Sequence, residues 1–173
     1  MGEQRNIILI GPMGSGKSAV GRRLSKQLGL SFWDSDEEIE KRTGVDIAYI
    51  FEKEGEAGFR QRESAMLAEL LEKTEIVLST GGGAAIDPAN RRLMADSGTV
   101  VYLYTSVPEQ IRRTSKSRHR PLLNEGNPAD VLEQLMVVRD PQYREIADII
   151  VETDKRQVPA VTREIRQKIE TAD

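Results

Sequence analysis

The sequence has no cysteine, no long hydrophobic run and no excess of basic residues. The lack of cysteine excludes disulfides and thiolate metal sites. Acidic residues number 28 and basic residues 25, which gives a net charge of -3. Domains that bind nucleic acid are usually basic, so we expect no nucleic-acid partner.

The first apolar run, Ile7–Ile10, is too short for the core of a signal peptide or for a membrane helix. Asn6 stands where a myristoylation signal has Ser or Thr. These two features predict a cytoplasmic protein with no membrane partner.

Length and composition favour one globular domain over residues 1–173. A chain of 173 residues falls in the range of about 100–200 that is usual for a domain. Hydrophobic residues make up 38% and charged residues 31%, which is compatible with a packed core. Because the predicted elements account for the apolar stripes, we also expect a monomer.

Short apolar runs alternate with amphipathic stretches along the chain. The runs are nearly continuous and rich in β-branched residues, which is typical of strands buried on both faces of a parallel sheet. They span Asn6–Ile10, Ser31–Trp33, Ile76–Ser79, Thr99–Tyr104 and Ile149–Val151. The helical stretches span Ser18–Leu28, Gly58–Leu71, Val131–Val138 and Val161–Ile169. This alternation predicts an α/β domain with a five-stranded parallel sheet.

Residues 11–18, Gly-Pro-Met-Gly-Ser-Gly-Lys-Ser, match the P-loop pattern completely. They follow an apolar strand and open an amphipathic helix, which is the context that this motif requires. Its glycines let backbone N–H groups converge on phosphate oxygens, Lys17 would contact the β- and γ-phosphates, and Ser18 would give an oxygen to Mg²⁺. The motif predicts nucleotide binding and leaves the phosphate acceptor open. The predicted nucleotide contacts in this segment are Gly11, Gly14, Ser15, Gly16, Lys17, Ser18 and Ala19.

Two carboxylates, Asp34 and Asp36, follow the second predicted strand. Residues two apart in an extended chain face the same way, and ligands of open α/β sheets bind at the carboxyl ends of the strands. The pair would therefore suit Mg²⁺ and a substrate hydroxyl. The alternative is that Asp36 or Ser35 only caps the helix that begins near Glu37. We expect the neighbouring Trp33 in the core.

Three glycines, Gly81–Gly83, follow the third predicted strand. They suit a backbone that approaches a ligand closely, and the alternative is a loose turn. Arg60 lies near the start of one predicted helix and Arg139 near the end of another. Arginine forks bind carboxylates through two hydrogen bonds, so this pair would suit an acidic, polyhydroxylated substrate. Each arginine could instead be a solvated surface charge.

Residues 114–127 break the alternation with proline, glycine and several basic side chains. A segment of this length and composition predicts a lid. Arg120 within it would close on the transferring phosphoryl group, because that transfer develops charge on the equatorial oxygens. The basic residues from Arg112 to Arg120 could instead form a nucleic-acid patch, but no aromatic residue is interleaved among them.

With these landmarks in this order, the chain resembles the shikimate kinase family along essentially its whole length. The joint order is far more specific than any single motif. The matching segments are Gly-Pro-Met-Gly-Ser-Gly-Lys-Ser at 11–18, Asp-Ser-Asp at 34–36, Gly-Phe-Arg-Gln-Arg-Glu at 58–63, Gly-Gly-Gly at 81–83, Arg-Pro-Leu-Leu at 120–123 and Arg-Asp-Pro-Gln-Tyr at 139–143. The resemblance implies a P-loop NTPase fold of three α/β/α layers, similar to nucleoside monophosphate kinases, with a mobile lid.

The resemblance also implies an activity, the transfer of the γ-phosphoryl group of ATP to the 3-hydroxyl of shikimate. This reaction is a step towards chorismate and the aromatic amino acids, and it uses one Mg²⁺ ion. On the acceptor side, the family pattern implies that Asp36 holds substrate hydroxyls. Arg60 and Arg139 would grip the carboxylate, and Gly82, flanked by Gly81 and Gly83, would donate a backbone contact.

On the nucleotide side, the same resemblance implies that Asp34 reaches the Mg²⁺ shell through water. Arg120 would arrive with the lid and act with Lys17 in catalysis, while Arg113 and Arg156 would flank the adenine. Asp36 would accept or orient the proton of the acceptor hydroxyl. Kinases of gluconate or of nucleoside monophosphates are the enzymatic alternatives, and a regulatory ATP-binding module is the alternative outside enzymes.

Overall fold

The computed structural model describes residues 5–115 and 126–172. Within these residues, five strands alternate with seven helices. In chain order the elements are β1 (Ile7–Ile10), α1 (Lys17–Leu28), β2 (Ser31–Asp34), α2 (Ser35–Thr43), α3 (Ile47–Leu70), β3 (Ile76–Ser79), α4 (Pro88–Ser97), β4 (Thr99–Tyr104), α5 (Val107–Thr114), α6 (Pro128–Ile146), β5 (Ile149–Glu152) and α7 (Val158–Ala172). The predicted lid falls mainly on residues 116–125, outside the described residues.

The five strands form one parallel sheet in the order β2-β3-β1-β4-β5. Its central strand, β1, is buried along its whole length, which explains why its sequence is a continuous apolar run. Ile8 and Ile10 face a core cluster that includes apolar residues of α2, α3, α4 and α6. Ile7 and Leu9 face a second cluster with α1 and α7. The predicted three-layer α/β/α arrangement with a five-stranded parallel sheet is therefore confirmed.

Parallel strands all end at the same edge of the sheet, and this edge carries the predicted motifs. The P-loop follows β1, Asp34 is the last residue of β2, and the glycine triplet follows β3. Because β2, β3 and β1 are consecutive in the sheet, these three segments are neighbours in space. Trp33 packs against the larger core cluster, as expected.

Two helices are longer than the sequence predicted. Helix α3 begins at Ile47 rather than near Gly58, and it is interrupted only at Gly55, whose backbone is not helical (φ 74°, ψ 179°). Helix α6 runs from Pro128 through Pro141 to Ile146, so Arg139 lies inside the helix and not near its end. A proline inside a helix removes one hydrogen bond, to the carbonyl four residues earlier. That carbonyl belongs to Val137, which is 75% exposed and open to water.

Helix α2 begins close to the helix expected near Glu37, whereas α4 and α5 were not among the predicted helical segments, although each has a recognisable start. Asp34, Asp87 and Ser106 cap these three helices by accepting backbone N–H groups, and prolines occupy the first turns of α4 and α5. In the described parts of the chain, no helix is both long enough and apolar enough to cross a membrane.

Candidate active site

The P-loop turns tightly between β1 and α1. Gly14 and Gly16 adopt left-handed backbone conformations, with φ of 79° and 90°, which side chains other than glycine rarely allow. Helix α1 begins immediately afterwards at Lys17, so its first N–H groups and the positive end of its dipole point into the loop. This arrangement is a ready site for phosphate.

Lys17 is buried, and its side chain lies across the loop. Its Nζ donates to the carbonyl oxygens of Gly11 at 2.7 Å and Pro12 at 3.0 Å. Ser15 Oγ lies 3.4 Å from the same nitrogen. The loop backbone therefore fixes the position of the ammonium group among the phosphate-facing N–H groups.

Ser18 and Asp34 meet at the junction of α1 and β2. Ser18 Oγ donates to Asp34 Oδ2 at 2.6 Å. The other carboxylate oxygen, Oδ1, accepts the backbone N–H groups of Asp36 and Glu37 at 3.0 and 3.1 Å. Asp34 is therefore the N-cap of α2, and the alternative that Ser35 or Asp36 caps this helix is wrong.

The oxygens of Ser18 and Asp34 are of the kind that Mg²⁺ prefers. Among the described residues, no group of three or more histidine, cysteine, aspartate or glutamate side chains could hold a metal alone. Magnesium in nucleotide sites is usually held by one or two protein oxygens together with phosphates and water. The donor set beside the P-loop fits this second mode.

Asp36 lies in the first turn of α2, so the premise that it continues an extended strand is wrong. It nevertheless shares a cleft with Asp34 and the P-loop. The cleft has a volume of about 430 Å³ and is open on one side. Its lining includes all of the following: Met13, Gly14, Gly16, Lys17, Ser18, Ala19, Asp34, Asp36, Ser79, Gly81, Gly82 and Arg113.

The glycine triplet is approached closely by charged side chains of the protein itself. A Cβ on Gly81 would lie 2.9 Å from both Asp36 Oδ1 and Glu63 Oε2. A Cβ on Gly83 would lie 2.4 Å from the Arg60 guanidinium. The backbone here is conformationally ordinary, so glycine at 81 and 83 leaves these charged side chains in place, and a side chain there would displace them. The loose-turn alternative does not account for this packing.

Arg60 is paired with a buried carboxylate that sequence reasoning did not single out. Its Nη1 donates to Glu63 Oε1 at 2.9 Å, and Glu63 is only 1% exposed. Burial raises the pKa of Glu63 above its ordinary value, although Arg60 opposes the shift. The signal was present in the sequence, since side chains three apart on a helix are neighbours. The pair lies beside Gly81 and Gly83.

Arg139 is a buried cation with no acidic partner in the part of the chain that the structure describes. It is 5% exposed, and no carboxylate oxygen of these residues forms an ion pair with it. Burial lowers its pKa, and the nearby positive charge of Arg60 acts in the same direction. A second cation close to a buried, unpaired cation favours an anionic ligand between them.

Tyr143 is a further site residue that sequence reasoning did not assign. It lies one helical turn after Arg139 on α6, and its hydroxyl donates to the carbonyl oxygen of Gly82. The Arg139 guanidinium lies close enough to this hydroxyl that its positive charge acts to lower the pKa of Tyr143. Burial raises the pKa of Tyr143 to about 12, so the phenol is neutral at physiological pH.

The two arginines expected near the adenine have different surroundings. Arg113 lines the cleft and donates to Gly14 O at 3.0 Å and to Thr153 O at 2.7 Å. Arg156 donates to Glu152 O at 2.9 Å and pairs with Glu164 at 2.8 Å. Arg156 is thus engaged by its own loop and by α7. The third nucleotide-side arginine, Arg120, lies outside the described residues.

Comparisons with known proteins agree with the fold and identify the family. The family model described as shikimate kinase matches residues 13–170. A shikimate kinase of Thioalkalivibrio sulfidiphilus is 60% identical over 165 residues, which cover 95% of this chain and 87% of that protein. A solved shikimate kinase of Acinetobacter baumannii, in complex with shikimate, superposes with a TM-score of 0.96 at 47% identity, covering 98% of this chain and 94% of that one.

A more distant neighbour shares only the fold. A gluconokinase of Sinorhizobium meliloti superposes with a TM-score of 0.62 at 18% identity, covering 98% of this chain and 93% of that one. The architecture is therefore common to kinases of different acceptors. The extent and identity of the nearer matches show that this chain belongs to the shikimate kinase family.

Proposed function

We propose that this protein transfers the γ-phosphoryl group of ATP to the 3-hydroxyl of shikimate, giving shikimate 3-phosphate and ADP. The observation that carries the proposal is the buried guanidinium of Arg139, which has no carboxylate partner among the described residues and lies near Arg60 on the acceptor side of a P-loop cleft. Membership of the shikimate kinase family supports the same reaction. So does the likeness to a relative solved with shikimate bound.

The acceptor is held by its charge and its hydroxyls. The carboxylate of shikimate binds between Arg60 and Arg139, where it compensates two neighbouring cations. Gly82 donates its N–H to the acceptor, with Gly81 and Gly83 leaving room for the charged side chains around it. Asp36, at the boundary between the acceptor and the P-loop, accepts a hydrogen bond from the 3-hydroxyl and orients the oxygen lone pair.

In the transfer, the bond between the γ-phosphorus and the β,γ-bridging oxygen breaks and a bond to the 3-oxygen forms. The hydroxyl proton leaves through Asp36. Lys17 stabilises the charge on the phosphoryl oxygens, and the first N–H groups of α1 hold the β-phosphate. We propose that Arg120, carried by the lid, also stabilises this charge, as the family pattern implies.

One Mg²⁺ ion, bound with ATP, would be held by Ser18 directly and by Asp34 through water. The ion neutralises phosphate charge when it is bound. The hydrogen bond from Ser18 to Asp34 supports this assignment. Side chains that bind a metal are usually held in position by hydrogen bonds to neighbouring side chains. Arg113 and Arg156 are proposed on the adenine side, Arg113 with the firmer support because it lines the cleft.

The remaining expectations about the protein stay proposals of the same kind. We propose that residues 1–173 form one domain that works as a monomer in the cytoplasm. Shikimate and ATP would be its only substrates, with no nucleic-acid or membrane partner. The near balance of 25 basic and 28 acidic residues supports the absence of a nucleic-acid partner.

The test is coupled ADP release with Mg²⁺ and ATP, comparing shikimate, gluconate, a nucleoside monophosphate and no acceptor. We expect turnover with shikimate alone. Arg60→Lys should then raise the KM for shikimate about tenfold or more, because a lysine cannot make the bidentate contact. Arg62→Lys is the matched control, since Arg62 is on the same helix but is exposed and paired with Glu54. Preferred turnover of gluconate would refute the assignment.

A further inference from the structure

Tyr143 lies between two groups that the proposed function assigns to the acceptor. Its hydroxyl donates to the carbonyl oxygen of Gly82 and lies close enough to Arg139 to interact with its charge. A guanidinium nitrogen of Arg139 in turn lies 3.4 Å from the position of a Cβ on Gly82. Tyr143 is 1% exposed and Arg139 is 5% exposed, so water cannot readily replace either contact. A single buried hydroxyl therefore lies between the glycine triplet and Arg139, and it belongs to a residue 61 positions after Gly82 in the chain.

The position of this hydroxyl is fixed by packing. Tyr143 and Arg139 are four residues apart on α6 and therefore lie on the same face of the helix. The ring of Tyr143 stacks against the ring of Tyr102 on β4, with centroids 4.8 Å apart. Tyr102 is held in turn, because its hydroxyl donates to Asp140 Oδ1 at 2.6 Å.

Arg139 needs such a partner more than most arginines do. In the described residues it has no carboxylate to fix the plane of its guanidinium. An arginine binds a carboxylate through two parallel hydrogen bonds only when its planar fork has the correct orientation. The hydroxyl of Tyr143 is a polar group beside this fork, and both residues line the same small cavity.

We propose that Tyr143 is a positioning residue for the phosphate acceptor, which acts by orienting Arg139 and by fixing Gly82. This inference rests on the proposed function, since it assumes that both groups bind shikimate. Loss of the hydroxyl frees the guanidinium to rotate and leaves the buried Gly82 carbonyl without its donor. Neither change touches Lys17 or the P-loop contacts, so the nucleotide side keeps its geometry.

The experiment compares Tyr143→Phe with Tyr102→Phe in the full chain. Each change removes one buried hydroxyl and keeps the stacked ring. For Tyr143→Phe we expect the KM for shikimate to rise about tenfold while the KM for ATP stays as in the wild type. Tyr102→Phe should change neither KM, because its hydroxyl bonds to Asp140 and not to an acceptor group.

A double-mutant cycle tests whether Tyr143 acts through Arg139. Arg139→Lys replaces the planar fork, so Tyr143→Phe added to it should raise the KM for shikimate by clearly less than it does alone. Additive effects of the two changes would refute the positioning role. A partly unfolded variant would lower kcat and leave both KM values unchanged, so poor folding cannot imitate the expected result.

The outcomes separate this inference from the function on which it rests. If the wild type turns over shikimate and Tyr143→Phe has an unchanged KM for it, the positioning role is wrong and the proposed function stands. An equal rise of the KM for shikimate in Tyr102→Phe would indicate that the loss of either buried hydroxyl disturbs the site through the core. That result would also refute the inference. If the wild type shows no turnover with shikimate, the proposed function itself fails.

Discussion

Ser18 Oγ and Asp34 Oδ2 lie 2.6 Å apart, and this hydrogen bond joins the start of α1 to the end of β2. The same carboxylate caps α2 through its other oxygen. Asp34 thus connects the P-loop helix with the helix that carries Asp36. A change at Asp34 should affect both the metal and the local structure, and a suitable substitution can separate the two effects.

Asp34→Asn keeps an N-cap acceptor and removes the charge. We expect the free energy of unfolding to fall by less than about 1 kcal/mol, because asparagine caps helices about as well as aspartate. The Mg²⁺ concentration for half-maximal activity should rise about tenfold or more, as for other residues that support a metal ligand. Magnesium titration of ADP release measures this change.

Asp46→Asn is the matched control for that variant. Asp46 caps α3 by accepting the N–H of Tyr49 at 2.8 Å, on an exposed part of the surface. The substitution keeps the cap and removes a charge that does not line the cleft. Its magnesium titration should follow the wild type, and a parallel shift in both variants would contradict the role of Asp34.

Lys17→Met should abolish most of the activity and keep the fold. The ammonium group is the cation nearest the P-loop backbone that we assign to the transferring phosphoryl group. Removing one group that stabilises charge in a transition state lowers kcat by about 10²–10³-fold. Lys26→Met, in the exposed last turn of the same helix, should leave kcat unchanged. Single-turnover measurement of ADP formation distinguishes these outcomes.

Gly83→Ala and Gly82→Ala should differ, although the residues are adjacent. A Cβ at 83 meets the Arg60 guanidinium at 2.4 Å, whereas the nearest atom to a Cβ at 82 is 3.4 Å away. Arg60 can move aside because the contact is at the end of its flexible side chain. Gly83→Ala should therefore fold with nearly normal stability and raise the KM for shikimate about tenfold. Gly82→Ala should have the smaller effect on this KM, and the reverse order would contradict the packing.

Glu63 should make the stability of the protein depend on pH. Burial raises its pKa in the folded state above the ordinary value of 4.5, so the folded protein binds more protons than the unfolded chain. This group's contribution to the free energy of unfolding therefore falls as the pH rises from about 4.5 through the folded pKa. Glu63→Gln removes that dependence, so the variant should gain stability relative to the wild type as the pH rises.

Urea unfolding at several pH values from about 3 to neutrality measures the difference, which for Glu63 develops above about 4.5 and for Glu69 below it. Glu69→Gln is a comparison in which the difference in stability from the wild type should change with pH in the opposite direction. Arg42 lowers the pKa of Glu69 through a hydrogen bond. The wild type should therefore gain stability relative to Glu69→Gln as the pH rises. Identical pH dependence for all three proteins would show that the environment of Glu63 has been misjudged.

The strands and the P-loop could be predicted because their signals are local. A strand buried on both faces, such as Ile76–Ser79, needs a continuous apolar run, and the P-loop needs its glycines at fixed spacing. The end of α6 could not be placed, because Pro141 usually marks the end of a helix and here lies inside one. The start of α3 was missed for a similar reason, since Gly55 divides its pattern.

The residues that organise the acceptor side were harder to predict from the sequence. Arg60 and Arg139 were predicted by residue type and by family resemblance, but their burial depends on packing between α3, α6 and the glycine triplet. Glu63 and Tyr143 were missed. The partner of Tyr143, Gly82, is 61 residues distant in the chain, and no local pattern reports a contact of that kind.

The contacts of the Arg113 guanidinium affect the order in which the protein folds during its synthesis. It joins the P-loop, through the Gly14 carbonyl, to Thr153 just beyond the last strand. In a chain made from its amino terminus, the phosphate loop is synthesised 99 residues before Arg113 and a further 40 before Thr153. That loop cannot acquire its final support until β5 has been made and docked. Bound nucleotide should therefore stabilise the folded domain more than a fragment that ends before Thr153.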